Sequence, residues 1–301
     1  MNTISFPGLG IGPFEVNEVA FTVFNMDIAW YALIITFGMI LAVSYTIFRA
    51  KKIGVTFDDV VDFVIFVIPL GVLGARLYYV LSKLEEFTTL EEVLAFRNGG
   101  LAIYGGIIVG TITVFAVCYF KKIYFPAFGD CIVPGLILAQ AIGRWGNFVN
   151  SEAYGTETES FIRMGVVEGL KTIYVHPTFL YESLWNIIGF ILLNWLLKKK
   201  KYDGQVLLAY AAWYGFGRML IEGLRTDSLM WGPFRVSQLL AALLFVVCAA
   251  WMIVIFVRQR KRKTEELDRA FEEIDSGAVA STIGLDPETE IEGDKEDGHS
   301  N

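Results

Sequence analysis

The sequence predicts an all-α, polytopic integral membrane protein of about seven transmembrane helices, on three observations. Hydrophobic residues fill 54% of the 301 positions against 19% charged, with a mean hydropathy of +0.51, which excludes an ordinary soluble enzyme. Seven stretches approach the roughly 20 apolar residues that a bilayer span requires. Cations cluster in every second connection between those stretches, as they do where one side of a membrane protein faces the cytoplasm.

In chain order, residues 1–28 carry no Lys or Arg and have neither the basic start nor the small-residue cleavage site of a secretory leader, so they are expected to form an external N-terminal segment. The spans fall near Ala29 to Phe48, Val60 to Leu81, Leu101 to Phe120, Cys131 to Val149, Pro177 to Leu197, Val206 to Leu224 and Val236 to Val257. The third, fourth and sixth contain Gly or charged residues, which membrane helices tolerate where they pack on one another or line a cavity. An external arm is expected at about 150–176. Arg49, Lys51, Lys52, Lys121, Lys122, Lys198 to Lys201, Arg258 and Arg260 to Lys263 place 14 cations on one side, against 6 on the other (Lys83, Arg97, Arg163, Lys171, Arg225 and Arg235). The N-terminus is therefore expected outside and the C-terminus inside.

Residues 258–301 form a basic flank followed by an acidic tail. The net charge of −7 conceals this division, because residues 264–301 hold 13 of the 32 acidic residues with only Arg269 and Lys295 as cations. The tail carries −11 and the preceding residues +4, so nucleic-acid binding is not suggested and the membrane part suits anionic lipid. A short amphipathic helix is expected over 264 to about 283, and disorder beyond it. His176 and His299 are the only histidines, and Cys118, Cys131 and Cys248 lack C-x-x-C spacing. Neither a metal site nor a disulfide framework is expected, and no cofactor is implied.

Charges inside spans are costly enough to count as functional candidates. Asp62, Arg76, Arg144, Glu152, Glu182, Arg218 and Glu222 all lie in or at the edge of a span. For Asp62 and Arg76, structural pairing between helices is as good an account as function. The fourth span ends in Gly143, Arg144, Gly146, Asn147, Asn150 and Glu152, a density that a mere span does not need. There a guanidinium can grip a phosphate bidentately while amides orient it. Glycine pairs at 99–100 and 105–106 flank the start of the third span and suit either an anion at a helix start or a close helix crossing. On the sixth span Tyr214, Arg218 and Glu222 recur every four residues, making either a polar cavity wall or a self-paired Arg and Glu. His176-Pro-Thr-Phe-Leu-Tyr-Glu182 opens the fifth span, with Pro177 suited to a first helical turn, and His176 could be a simple loop residue.

At these residues the chain resembles the bacterial prolipoprotein diacylglyceryl transferase family. Gly143-Arg-Trp-Gly-Asn-Phe-Val-Asn-Ser-Glu152 with Gly155 is similar to the family signature, and Trp30-Tyr31, Gly74-Ala-Arg-Leu77, Asn98 to Gly106, His176 to Glu182 and Tyr214 to Arg225 match in order and spacing. The resemblance implies an enzyme that moves a diacylglyceryl group from phosphatidylglycerol to the lipobox cysteine of a prolipoprotein signal peptide, releasing glycerol phosphate, in the bacterial cytoplasmic membrane. It implies roles for Tyr31, Arg144, Asn147, Glu152, Gly155, Tyr214, Arg218 and Glu222. Taken together with the residues read directly, the catalytic candidates are Arg144, Arg218, Tyr104, Glu152 and Glu222. Substrate binding would fall to Tyr31, Asn147, Asn150, Gly155, Gly105, Tyr214, His176, Tyr181 and Glu182. Many members carry histidine where this chain has Tyr104. The competing class is a transporter or channel for an anion, with the same residues lining a path. An intramembrane hydrolase is disfavoured, since neither G-x-S-x-G nor H-E-x-x-H occurs.

Overall fold

A computed structural model of the chain describes residues 2–96, 99–169, 171–226 and 230–275. The elements are β1 (Asn2–Phe6), β2 (Ile11–Val16), β3 (Val19–Val23), β4 (Met26–Ala29), α1 (Trp30–Ala50), α2 (Phe57–Ser82), α3 (Leu90–Leu94), α4 (Ile103–Lys121), α5 (Phe125–Val149), β5 (Met164–Glu168), β6 (Lys171–Val175), α6 (Thr178–Lys199), α7 (Gln205–Glu222), β7 (Met230–Trp231), β8 (Phe234–Arg235) and α8 (Val236–Asp275). Six helices among the described residues are long and apolar enough to cross a bilayer: α1, α2, α4, α5, α6 and α8. The seventh expected span falls on a helix, α7, whose 18 residues include Gln205, Arg218 and Glu222 and fall short in apolarity, so six candidate spans stand where seven were expected. Helix α7 packs on α5 and α6. Phe37, Ile40, Phe66, Ile112, Ile191 and Trp195 point outward and are each at least half exposed. Such an apolar exterior is unfavourable in water and is what lipid as solvent demands.

The helical, polytopic class is as expected. A four-stranded antiparallel sheet in the order β2-β1-β5-β6 was not expected. Ile4 pairs with Val166 across it, and the sheet buries Ile4, Met164, Val166 and Val175 against Phe179 of α6. The first residues and the 150–176 arm are thus one structure, clamped over the start of α6. At the rim Tyr154 donates a short hydrogen bond to Glu168. That bond, followed by burial, pushes the Tyr154 phenol up to about 12.

Small residues set the helix seams. α2 and α4 cross where Gly74 and Gly105 meet backbone to backbone, and a Cβ on Gly105 would lie 2.2 Å from the Gly74 carbonyl oxygen. The close-crossing account of the Gly105–Gly106 pair is therefore the one realised. On α6 and α7, Trp185 and Trp213 stack with centroids 4.1 Å apart, and each indole N–H donates to the other's backbone carbonyl at 3.2 Å. Gly217 and Gly189 leave the two slots these rings occupy.

Asp62 and Arg76 are structural. Asp62 and Asp59 both pair with Lys121, at 2.6 and 2.7 Å, joining the start of α2 to the end of α4. Buried Arg76 donates to the carbonyls of Glu92, Val93, Gly99 and Gly100 and so shapes the turn before α4. Asn98, beside that turn, lies outside the described residues.

The described residues up to Ala249 make one compact unit, and those from Ala250 to Asp275 belong to another. In the second, helix runs through the basic flank to Asp275, so residues 264–275 continue a long helix where a separate short one was expected. The remainder of the tail lies outside the described residues.

At the basic end of the helices, fully buried Asp130 on α5 caps α7 from outside. Its carboxylate accepts from the N–H groups of Gly204, Val206 and Leu207, each at 2.9 Å, and from Lys200 Nζ at 3.0 Å. These are three of the donors that a helix start leaves unpaired, supplied with a negative charge where the helix dipole favours one. Burial opposes the charge on Lys200, but its bonds to Asp203 and Asp130 outweigh burial and raise its pKa. Asp130→Ala strands those donors and the lysine, and is expected to destabilise the protein by about 3 kcal/mol. Thermal unfolding in detergent checks this, and an unchanged midpoint would remove Asp130 from the account of how α7 is held.

Candidate active site

The opposite end of the bundle gathers the charges that the spans should exclude. Glu182, one turn into α6 and 6% exposed, is the hub. Its Oε2 lies 2.5 Å from Arg144 Nη2 of α5 and 3.3 Å from Arg218 Nη1 of α7, and its Oε1 lies 3.5 Å from Arg225 Nη1. Arg218 Nη2 also reaches Glu222 Oε2 at 2.6 Å, one turn further along α7. Arg235 donates a short bond to the Glu222 backbone carbonyl.

Three guanidinium groups thus share two carboxylates, and the group carries a net charge of +1. Each carboxylate lowers the cost of holding its arginines away from water. Exposure divides their duties. Glu222 and Glu182 side chains are 2% and 7% exposed, while Arg144 and Arg218 keep 21% and 18%. The arginines can therefore meet a ligand, and the buried carboxylates position them. Glu222, expected as a catalytic residue, sits as the ion-pair partner of Arg218, which was the structural alternative.

A second layer extends from Arg144. Its Nη1 donates to Asn147 Oδ1 at 3.4 Å, and Asn147 Nδ2 donates to Glu152 Oε1 at 2.8 Å. Tyr31, in the first turn of α1, lays its ring on Gly146, where a Cβ would come within 2.6 Å of it. Gly155 packs against His176, bonds to its carbonyl at 2.9 Å, and bridges to Arg225. A Cβ there would stand 2.7 Å from that of His176, so no larger residue fits without moving the arm. His176 Nδ1 and the Tyr181 hydroxyl are 3.1 Å apart. Tyr214, with Glu182, Asn186, Gly217 and Arg218, lines a small cavity beside the hub.

Three of the candidates make no side-chain hydrogen bond or ion pair with this cluster among the described residues. Tyr104 bonds through its hydroxyl to Ser237 of α8 at 2.8 Å and packs beside Tyr78. Gly105 lies in the α2–α4 crossing described above. Asn150 ends α5, with its backbone N–H on the Gly146 carbonyl. Among the described residues no group of His, Cys, Asp and Glu could hold a metal ion, and the site's donors are those of an anion clamp.

The sequence named Glu182 but not its centrality, and it passed over Arg225, Arg235 and Asn186 as site members. A signal for α6 was available: Thr178, Glu182 and Asn186 recur every four residues and are all buried, a polar stripe within an apolar helix. Glu182→Ala leaves three arginines short of a counter-charge, and the folded state should lose about 3–5 kcal/mol. The check is thermal unfolding in detergent, with Glu152→Ala as an exposed comparison expected to shift little. Equal midpoints for the two variants would contradict the hub.

The chain is similar to known proteins of one family. A sequence model described as prolipoprotein diacylglyceryl transferase matches residues 18–255. Proteins named phosphatidylglycerol--prolipoprotein diacylglyceryl transferase are similar along most of their length. One from Streptococcus uberis is 44% identical over 257 residues, covering 82% of this chain and 96% of the relative. One from Clostridioides difficile is 45% identical over 228 residues, covering 75% and 90%. A third, from Clostridium perfringens, is 41% identical and covers 82% and 98%. These relatives lend the transport alternative no support.

Proposed function

The chain belongs to the prolipoprotein diacylglyceryl transferase family, and on that premise we propose that it transfers the diacylglyceryl group of phosphatidylglycerol to the cysteine thiol of a prolipoprotein. The lipobox cysteine at the end of the acceptor's signal peptide supplies the sulfur. A carbon–sulfur bond forms at the glyceryl carbon as its bond to the phosphate oxygen breaks. The thiol proton is given up, and glycerol phosphate departs with the electron pair.

The observation that carries this is the pair of reachable guanidinium groups, Arg144 and Arg218, held on one buried carboxylate. The leaving phosphate gains charge as the bond breaks, so donors already fixed in place stabilise the transition state more than the ground state. The same cationic field favours the thiolate over the thiol, whose ordinary pKa near 8.5 leaves about 3% ionised at pH 7. Glu152, reached from Arg144 through Asn147, or a phosphate oxygen takes the proton. Tyr31, Gly155, Tyr214, His176 and Tyr181 shape the approach. Tyr104 and Asn150 act from its margins, where Tyr104 orients substrate through its hydroxyl, which can donate and accept.

The test is transfer by the purified protein in detergent, with phosphatidylglycerol and a lipobox peptide, under conditions that leave no second compartment. Product is expected, and its absence from folded protein would overturn the assignment. Arg144→Lys and Arg218→Lys replace a planar fork with a point charge, and each should lower kcat/KM for the lipid by about tenfold or more. Near-normal kinetics for both would rule out the clamp.

The protein would work in the bacterial cytoplasmic membrane with the arginine cluster and the sheet on the external side and the basic flank inside. The alternation of cations supports this orientation. Single cysteines placed at positions 160 and 200 should react with an impermeant reagent in intact cells only at 160. The reverse pattern would invert the topology.

A further inference from the structure

One helical turn from Arg144 on α5, Gln140 donates from Nε2 to the Tyr210 hydroxyl of α7 at 2.9 Å. Tyr210 in turn stacks beside Tyr214, with ring centroids 6.1 Å apart. The four-residue spacing puts Gln140 beneath Arg144, and Tyr210 beneath Tyr214 and Arg218, so the ionic cluster continues inward as a neutral polar pair. The Gln140 carbonyl oxygen is buried with no donor, an arrangement that a merely structural glutamine avoids. The amide's work is spent on the tyrosine. Because the Tyr210 oxygen accepts from Gln140, its own proton is available to a second acceptor, and among the described residues it makes no other hydrogen bond.

Taking the functional assignment above as its basis, we propose that Tyr210, aimed by Gln140, donates a hydrogen bond to an ester carbonyl of the diacylglyceryl donor. Depth and chemistry both fit. Four residues of helix set Gln140 about 6 Å further into the membrane than Arg144. In a phospholipid whose phosphate rests on the arginines, the groups at that depth are the glycerol carbons and the two acyl esters. Those esters offer acceptors and no donors, the complement of a free phenolic proton. Tyr210 thereby reads the diacyl end of the lipid while the arginines read its phosphate, and Gln140 is a positioning residue.

The experiment compares two donors in the same mixed micelles, diester phosphatidylglycerol and its dialkyl ether analogue, which keeps the headgroup, the charge and the carbon that is attacked but lacks both carbonyls. The unaltered protein should prefer the ester by about five- to tenfold in kcat/KM. Tyr210→Phe should bring the preference close to one by losing rate on the ester and not on the ether. Gln140→Leu, which frees the hydroxyl to rotate, should lower the preference by a smaller factor. The ratio is internal to each variant, so a reduced amount of folded protein does not alter it. An unaltered protein that does not discriminate, or a Tyr210→Phe variant with the full preference, overturns the ester contact while leaving the transferase assignment intact. No transfer from the ester lipid by the unaltered protein overturns both.

Discussion

Everything at the working end of this molecule depends on one buried carboxylate. Glu182 holds Arg144, Arg218 and Arg225 from three different segments, and in a membrane no water replaces it if it is lost. Separated, each arginine would fold toward the nearest polar surface or draw in solvent, because an uncompensated charge at that depth is expensive. Together they form a cationic site whose position is fixed before any ligand arrives. That is the condition under which hydrogen-bond donors stabilise a developing charge without first reorganising. The chain accepts two buried acids, Glu182 and Glu222, to obtain two reachable cations in fixed places.

The far end of the bundle uses the same device with the sign reversed. Asp130 gives α7 its missing cap, so the helix that carries Tyr210, Tyr214 and Arg218 is fastened at its start by Asp130 and near its end by Glu182. Between the two anchors the stacked Trp185 and Trp213 fit slots left by glycine. α7 is less apolar than its neighbours, and it is held by named polar contacts at both ends where they rely on lipid.

Much of this was legible in the sequence because membranes impose simple rules. Span lengths, the cation alternation and the density of polar residues after Gly143 all follow from the cost of placing charge in hydrocarbon. The arginines Arg144 and Arg218 were visible for that reason. Pairings between distant segments were not. Nothing local to Asn2–Phe6 announces that it will join Met164–Glu168, since a half-buried strand of five residues looks like any short apolar run. Nor could Asp130 be singled out, for an acid near a span's end reads as a solvated one until α7 is seen to begin against it. The position of Tyr104, bonded to Ser237 across 133 residues of sequence, belongs to the same class.

The pairing of β1 with β5 also bears on how the protein is made. Residues 2–6 leave the ribosome long before residues 164–168, with the four long helices α1, α2, α4 and α5 threaded between them. At common synthesis rates that interval is on the order of ten to thirty seconds. During it β1 has β2 as its one neighbour in the sheet, and its other edge stays open. The strand can close only after α5 has crossed and the arm has followed, so the sheet acts as a late seal on biogenesis. A chain whose fourth long helix inserted the wrong way round would leave its first strand bare on one side of the membrane and its partner on the other.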